Sequence, residues 1–228
     1  ALDDLASLAG GRIDRAATRN LDAGAAGAFL ALLDAAHRIT RGEAEAVLVV
    51  GADTMIDLAR LDALQTAGRI LVDSVMDGFI PGEGAAALLV TAAAPGALAT
   101  LAAVGAGDDP FRCGADVALT GDGLTRAVHS ALDGASEPVS TAWCGLNGES
   151  WTAREWGIAA RRVHRALAGD MGTKHPAACF GDPGAALGAM LLVLAVTATS
   201  RGIAGGGSLV WALSEDGLRG AARVERAA

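Results

Sequence analysis

An uncharged apolar segment, residues 183–200, constrains the fold of this chain most strongly. It begins just after a Gly-Asp dipeptide with Pro-Gly and is rich in Gly, Ala, Leu and Val. A segment without a polar face needs an apolar environment on all sides, either a protein interior or a membrane. Its length is marginal for a membrane span, and its small residues favour close packing between sheets. We therefore predict a buried helix, with a membrane span as the alternative.

Short continuous apolar runs alternate with helical patterns along the rest of the chain. The apolar runs predict buried strands, and their alternation with helices predicts a layered α/β protein with a mainly parallel sheet and helices on both faces. The predicted helices are residues 26–41, 58–67, 123–132, 152–167 and 184–200, and the predicted strands are residues 46–50, 85–91, 98–105, 138–144, 175–180, 208–213 and 218–225. The part after residue 97 contains a complete strand and helix series, and the earlier part contains only the end of a similar one.

The amino-acid composition excludes some classes of protein and argues against others. Hydrophobic residues make up 52% of the chain and charged residues 19%, which indicates a large core and excludes a disordered chain. The net charge of −8 and the scattered cations argue against a nucleic-acid partner. Three cysteines without metal-ligand spacing predict free thiols in a cytoplasmic protein with no metal and no cofactor. The sequence opens with Ala rather than Met and shows no signal peptide, as expected of a stretch from inside a longer protein.

Three segments resemble conserved stretches of one family. They are Asp-Gly-Phe-Ile-Pro-Gly-Glu-Gly-Ala-Ala at residues 77–86, Arg-Gly-Glu at residues 41–43 with the strand that follows, and Gly-Asp-Pro-Gly-Ala-Ala-Leu-Gly-Ala at residues 181–189. In their order and spacing they resemble the β-ketoacyl synthases, also called 3-oxoacyl-ACP synthases, which have the thiolase fold. The resemblance runs from about Asp22 to the end of the chain.

The resemblance implies a thiolase-like fold of two similar βαβαβαββ halves in α/β/α/β/α layers. Residues 1–95 would then be the remainder of an incomplete N-terminal half, from the helix of the nucleophile elbow onward, and residues 96–228 would be the C-terminal half. It also implies that the apolar helices near residues 26–38 and 184–200 lie side by side in the central layer.

The resemblance further implies that the condensing machinery is missing. Such synthases use a Cys at a strand–helix elbow, and the matching position here is Ala25, whose methyl group cannot carry an acyl chain. The two family His residues match Asn147 and Asp182, and the family Lys matches Ala177. An Asp at the second His position would repel an enolate, so both condensation and decarboxylation are disfavoured.

Four polar residues remain as candidates for a site. We expect Glu83, Asn147, Glu149 and Asp182 to converge near the former active site, where they would form a polar pocket or a carboxylate pair for acid–base work. The alternative is structural, because Asn-Gly and Gly-Asp-Pro-Gly are turn sequences and Asp182 is placed to cap the following helix.

Two cysteines lie close to these positions in the sequence. Cys144 and Cys179 are each three residues from Asn147 or Asp182, and His175 is nearby, so a relocated nucleophile is one interpretation. The alternative is that both thiols are small hydrophobic residues of the core.

Two functions follow from these observations. The first is a β-ketoacyl synthase-like pseudoenzyme, a bacterial scaffold, adaptor or silent subunit comparable with the chain-length-factor subunits that accompany active synthases. The alternative is an active 3-oxoacyl-ACP synthase or acyltransferase of fatty-acid or polyketide biosynthesis with an atypical nucleophile. The implied partners are a second thiolase-fold chain in a homodimer or heterodimer, an acyl carrier protein or a secretion-system component.

Overall fold

The computed structural model describes residues 13–93, 95–114, 116–204 and 207–227, so residues 1–12 of the predicted N-terminal part lie outside it. The helices are α1 (Gly27–Thr40), α2 (Leu58–Thr66), α3 (Asp122–Leu132), α4 (Ser150–Arg162), α5 (Ala177–Phe180) and α6 (Leu187–Ser200), with 3₁₀ turns at His164–Ala166 and Gly184–Ala186. The strands are β1 (Ala46–Thr54), β2 (Glu83–Thr91), β3 (Thr100–Asp108), β4 (Val139–Cys144), β5 (Leu167–Lys174), β6 (Ser208–Leu213) and β7 (Leu218–Glu225).

The strands of the described residues form two sheets. Strands β1 and β2 are an antiparallel pair, in a register that joins Ala46 to Thr91 and Thr54 to Glu83. The second sheet has the order β3-β7-β6-β4-β5. Strand β4 is parallel to both neighbours, and β7 is antiparallel to both of its own. Four strands of this sheet therefore run in one direction and β7 runs against them. The sheet is mixed rather than mainly parallel as predicted, because the C-terminal strand β7 inserts between β3 and β6 and pairs antiparallel with both.

Helices α1 and α6 form the central layer. Both contact strands of both sheets, and their apolar side chains form one core cluster with β1, β6 and β7. Helices α3 and α4 cover the other face of the five-stranded sheet. The described residues thus supply four of the five expected layers. Residues 187–200 form the predicted buried helix, and no helix in the described part of the chain is long and apolar enough to cross a membrane.

The two central helices meet at a glycine. Gly188, in the first turn of α6, lies against the backbone carbonyl of Ala25, just ahead of α1. A β-carbon at residue 188 would overlap that oxygen, so only glycine allows this approach. The contact fixes the start of α1 against the start of α6.

The sequence prediction was wrong between residues 163 and 180. The helix predicted for residues 152–167 ends at Arg162, and β5 follows where no strand was predicted. Gly169 and Gly172 interrupt the apolar pattern of residues 167–174, so the sequence of β5, an edge strand, does not resemble a strand. The strand predicted for residues 175–180 is instead the short helix α5, which begins after Pro176, a residue suited to a helix start.

The two parts of the chain repeat one arrangement of elements. The second part runs β3-α3-β4-α4-β5-α6-β6-β7, the predicted order. In both parts a central helix is followed by an antiparallel strand pair, α6 by β6 and β7, and α1 by β1 and β2. The strands that flank β6 and β7 have no counterpart beside β1 and β2 in the described residues.

Candidate active site

Five side chains from four separate loops form a polar cluster, which consists of Arg69, Asn147, Glu149, Asp182 and Glu215. Asn147 and Glu149 follow β4, and Glu215 lies in the turn after β6. Because β4 and β6 are parallel neighbours, their carboxyl ends meet at one edge of the sheet, where sites of α/β proteins commonly form. Arg69 follows α2, and Asp182 precedes the Gly184–Ala186 turn.

Glu149 is the centre of the polar cluster. Its side chain is nearly buried, and Arg69 binds it with two hydrogen bonds, from Nε to Oε1 at 2.7 Å and from Nη2 to Oε2 at 2.9 Å. Asn147 Nδ2 and Trp151 Nε1 also donate to Glu149 Oε2, at 3.1 and 3.2 Å. Four donors therefore hold this carboxylate in one orientation.

Arg69 joins a second carboxylate to the first. Its Nη2 lies 2.7 Å from Glu215 Oε1, and its guanidinium lies 5.3 Å from the centre of the Phe79 ring. Burial lowers the pKa of Arg69, but hydrogen bonds and charge attraction from Glu149 and Glu215 outweigh it and raise the pKa above its usual value. The guanidinium is therefore permanently charged.

Asp182 contacts the polar cluster through Asn147, whose Nδ2 donates to Asp182 Oδ2 at 2.9 Å. Its other oxygen, Oδ1, accepts from the backbone N–H of Gly184 at 2.9 Å, two residues further on, whereas α6 itself begins at Leu187 without a side-chain cap. Burial raises the pKa of Asp182, and the negative charges of Glu149 and Glu215 raise it further against these hydrogen bonds. The same carboxyl thus belongs to the polar cluster and caps a turn.

Glu83 does not contact the polar cluster. It is the first residue of β2, is exposed, and accepts a hydrogen bond from Thr54 Oγ1 at 3.1 Å across the strand pair. Of the four polar candidates, the structure brings together Asn147, Glu149 and Asp182.

Ala25 lies just before α1, on a backbone that turns at Gly24 with φ of 58°. Its side chain is almost buried. The hydroxyl of Ser214 accepts from the N–H of Ala26 at 2.9 Å and donates to the carbonyl of Ala23 at 2.7 Å. Ser214 therefore fastens the β6–β7 turn to the start of α1, next to Glu215 of the polar cluster.

The two candidate cysteines have opposite environments. Cys144 is fully buried in the core beside β6, and burial raises the pKa of its thiol to about 12, so almost no thiolate forms at neutral pH. Cys179 is exposed on α5. Neither makes a described contact with His175.

A cavity of about 430 Å³ opens beside the polar cluster. The wall of this cavity is mainly apolar. Ala177, which matches the position of the family Lys, is one of the lining residues. The lining residues are Leu71, Ile80, Leu146, Asn147, Gly148, Glu149, Thr152, Ala153, His175, Ala177 and Ala178. Because the polar atoms of Asn147 and Glu149 bind one another and their neighbours, the cavity offers few free donors to a reacting oxygen.

Sequence reasoning missed Arg69, Glu215 and Ser214 as parts of the site. Ser214 and Glu215 lie between the predicted strands 208–213 and 218–225, and Arg69 lies between the predicted helix 58–67 and the predicted strand 85–91. No local pattern marks Arg69, because its partners are 80 and 146 positions away. In the part of the chain that the structure describes, no group of His, Cys, Asp and Glu could hold a metal ion.

Two comparisons of the sequence with known proteins differ in outcome. Residues 15–95 match the family model of the β-ketoacyl synthase N-terminal domain. No curated protein matches the sequence.

Solved structures match the whole chain. One match is to the complex AntDE:AntF, a type II polyketide synthase acyl-carrier protein with its ketosynthase. The match covers 100% of this chain, with a TM-score of 0.81 at 16% identity. The chain therefore has the thiolase-like fold of these ketosynthases, and its residues 15–95 resemble the β-ketoacyl synthase N-terminal domain. The ishigamide ketosynthase/chain length factor (TM-score 0.77, 15% identity) covers 92% of it, and a Xenorhabdus doucetiae ketosynthase with its chain length factor (0.75, 16%) covers 90%.

The chain spans less than two thirds of the length of these similar proteins, 66%, 60% and 59% respectively. The N-terminal half of the fold is therefore partial, as predicted. Both the family resemblance and the layered fold inferred from three short segments are confirmed.

Proposed function

We propose that this ketosynthase-like chain is a catalytically silent subunit that assembles with an active thiolase-fold partner. The observation that carries this proposal is the start of α1. Ala25 offers no nucleophile there, and Ser214 occupies the adjacent N–H of Ala26, which would otherwise be free to polarise an acyl group.

The polar cluster supports the same proposal. Condensation requires groups that stabilise negative charge on a thioester oxygen. The side-chain amide of Asn147 donates hydrogen bonds to Glu149 and Asp182. Arg69, the cation of the polar cluster, is shared by Glu149 and Glu215. Two carboxylates contact the guanidinium and a third carboxyl, Asp182, lies beyond Asn147, so the site is acidic and would repel an enolate.

The relatives suggest the kind of partner. Two of the similar structures contain a chain length factor together with a ketosynthase, and a third contains an acyl-carrier protein. We accordingly propose a ketosynthase as the partner of this chain and an acyl carrier protein as a ligand of the resulting complex. The three free thiols fit a reducing, cytoplasmic location for that complex.

Covalent labelling tests the silent-subunit proposal. The purified protein is incubated with a radiolabelled acyl thioester, and bound label is counted after denaturation. We expect no label on the wild type. The matched variants are Cys179→Ala and Cys144→Ala, and label on the wild type that disappears in either one would establish the atypical-nucleophile enzyme instead.

Ala25→Cys is the complementary variant. It restores a thiol at the elbow without restoring the oxyanion groups, so we expect at most slow acylation and no condensation with a malonyl thioester. A condensation product from this single variant would contradict the proposed role of the polar cluster.

Assembly is tested separately. The chain is co-expressed with the ketosynthase encoded nearest to it, and the mass of the product is measured by light scattering. A one-to-one complex is expected. If instead only homodimers or monomers form with that ketosynthase, the proposed partner is wrong.

A further inference from the structure

Helix α4 and the 3₁₀ turn after it expose cations and no carboxylate. Residues 150–165 contain four Arg and one acidic residue, Glu155, which is fully buried in its pair with Arg219. One of the four, Arg162, pairs with Asp122 of α3. The outer side of this helix is therefore basic, in a chain whose net charge is −8.

The three other arginines lie on the outer side of the helix and its turn. Arg154 and Arg161 are exposed and seven positions apart, so they are about 20° apart around the helix and about 10 Å apart along its axis. Arg165, in the 3₁₀ turn, is also exposed. Within the part of the chain that the structure describes, none of the three has an ion-pair contact, and Arg154 only attracts Asp77 through charge.

A glycine lies between the two arginines of the helix. Gly157 is exposed, and a β-carbon there would meet no atom within 4 Å outside the helix backbone. Glycine inside a helix is destabilising relative to alanine, so the internal packing of this chain gives no reason for it. Ala153, one turn earlier, is small and exposed as well. These two residues leave room for the backbone of a second helix to approach α4 closely.

We propose that the α4 face, which consists of Ala153, Arg154, Gly157, Arg161 and Arg165, binds an acidic helix of a partner protein. The partner helix lies along α4 with its backbone against Gly157. Its Asp or Glu residues recur at seven-residue spacing and pair with Arg154 and Arg161. Charge complementarity of this kind gives fast, salt-sensitive docking.

The chemistry of the α4 face favours a protein helix over a membrane or a nucleic acid. Among the described residues, no large hydrophobic side chain between Val117 and Ile203 is exposed, so the face has nothing to insert into a bilayer. A phosphate backbone requires many cations, and this row of arginines is one residue wide in a chain of net negative charge. The α4 face shares no residue with the polar cluster, so the inference is independent of the silent-subunit proposal.

Peptide binding tests the charge of the α4 face. A labelled synthetic helical peptide of about three heptads, with Glu at every seventh position, is titrated with the protein by fluorescence anisotropy. The same peptide with Lys in place of Glu is the negative control. We expect the Glu peptide alone to bind, and its affinity to fall about tenfold at high salt. Arg154→Glu with Arg161→Glu should weaken it by about tenfold or more, whereas Arg201→Glu, an exposed charge at the end of α6, should leave it unchanged.

Gly157→Leu tests the close approach separately from the charge. Leucine is a better helix former than glycine, so the melting temperature should not fall, but the new side chain occupies the space for the partner backbone. Peptide affinity should therefore drop about tenfold, with a smaller drop for Gly157→Ala. Unchanged affinity in Gly157→Leu or in the double Arg variant would overturn the inference. Tighter binding of a DNA duplex or of phosphatidylserine vesicles than of the Glu peptide would also overturn it.

A photo-crosslinker at position 153 identifies the natural partner in the native cell. Mass spectrometry of the adduct should show a crosslinked segment with helical periodicity and an excess of Asp and Glu, and the adduct should disappear in the double Arg variant. A crosslinked segment that is basic or extended would contradict the proposed partner.

Discussion

Arg69 and Glu149, 80 positions apart, meet through two parallel hydrogen bonds of 2.7 and 2.9 Å. This pair connects the loop after α2 with the loop after β4, and through Glu215 it also holds the β6–β7 turn. Arg69 therefore links three loops of the candidate site through its contacts with two carboxylates. That arrangement supports the proposal of a catalytically silent subunit.

Arg69→Ala is expected to lower the free energy of unfolding by about 2–4 kcal/mol, because it leaves the nearly buried Glu149 without its cation. Urea unfolding followed by tryptophan fluorescence measures the change. Arg162→Ala is the matched control, since Arg162 pairs with Asp122 at 2.8 Å on the surface, where solvent screens the attraction. Equal losses in the two variants would contradict the joining role of Arg69.

Arg219 and Glu155 form a fully buried ion pair, with Nε to Oε1 at 2.7 Å. Arg219→Met alone should cost about 3–5 kcal/mol, because an unpaired carboxylate then remains in the core. The double variant with Glu155→Leu should recover most of that loss. A double-mutant cycle at equilibrium measures the coupling, and a double variant that is less stable than Arg219→Met would refute this account.

Gly188→Ala is expected to destabilise the fold by about 1–3 kcal/mol, because the new methyl group overlaps the carbonyl of Ala25 and forces α1 and α6 apart. Gly157→Ala is the control. Residue 157 lies within α4 with open space around it, so the same change should stabilise the helix by up to about 1 kcal/mol. Thermal unfolding of both variants checks the opposite signs.

Asp182 and Asp77 should give opposite pH dependences of stability. Burial raises the pKa of Asp182, so the folded state binds its proton more tightly, and stability falls as the pH rises from 3.8 through the raised value. Hydrogen bonds from the backbone and hydroxyl of Ser150 lower the pKa of Asp77, so its contribution is present above pH 3.8 and is lost as the pH falls through the lowered value.

The difference in unfolding free energy, variant minus wild type, isolates each group. For Asp182→Asn this difference should rise with pH above 3.8 and then level off. For Asp77→Asn it should fall as the pH rises toward 3.8. Urea titrations at a series of pH values measure both, and a difference for Asp182→Asn that does not change with pH would rule out the buried-carboxyl explanation.

The sequence predicted those site residues that lie in or next to recognisable family motifs. Asn147 and Asp182 occupy the positions that the family resemblance assigns to the two active-site His residues, so their convergence with the nearby Glu149 was predictable. Arg69 was not predictable, because its place depends on how the loop after α2 folds over Phe79. Glu83 was misleading for a related reason, since the pairing register of β1 and β2 directs it to Thr54.

The apolar runs and their alternation with helical patterns were enough to predict a layered α/β fold with α6 in an apolar environment. An uncharged helix has no face that water solvates well, so its composition requires such an environment. The edge strand β5, the pairing of Arg69 with Glu149, and the exposure of Leu48 and Leu89 were visible in the three-dimensional structure alone. These features depend on which distant segments come together, and no local periodicity encodes those contacts.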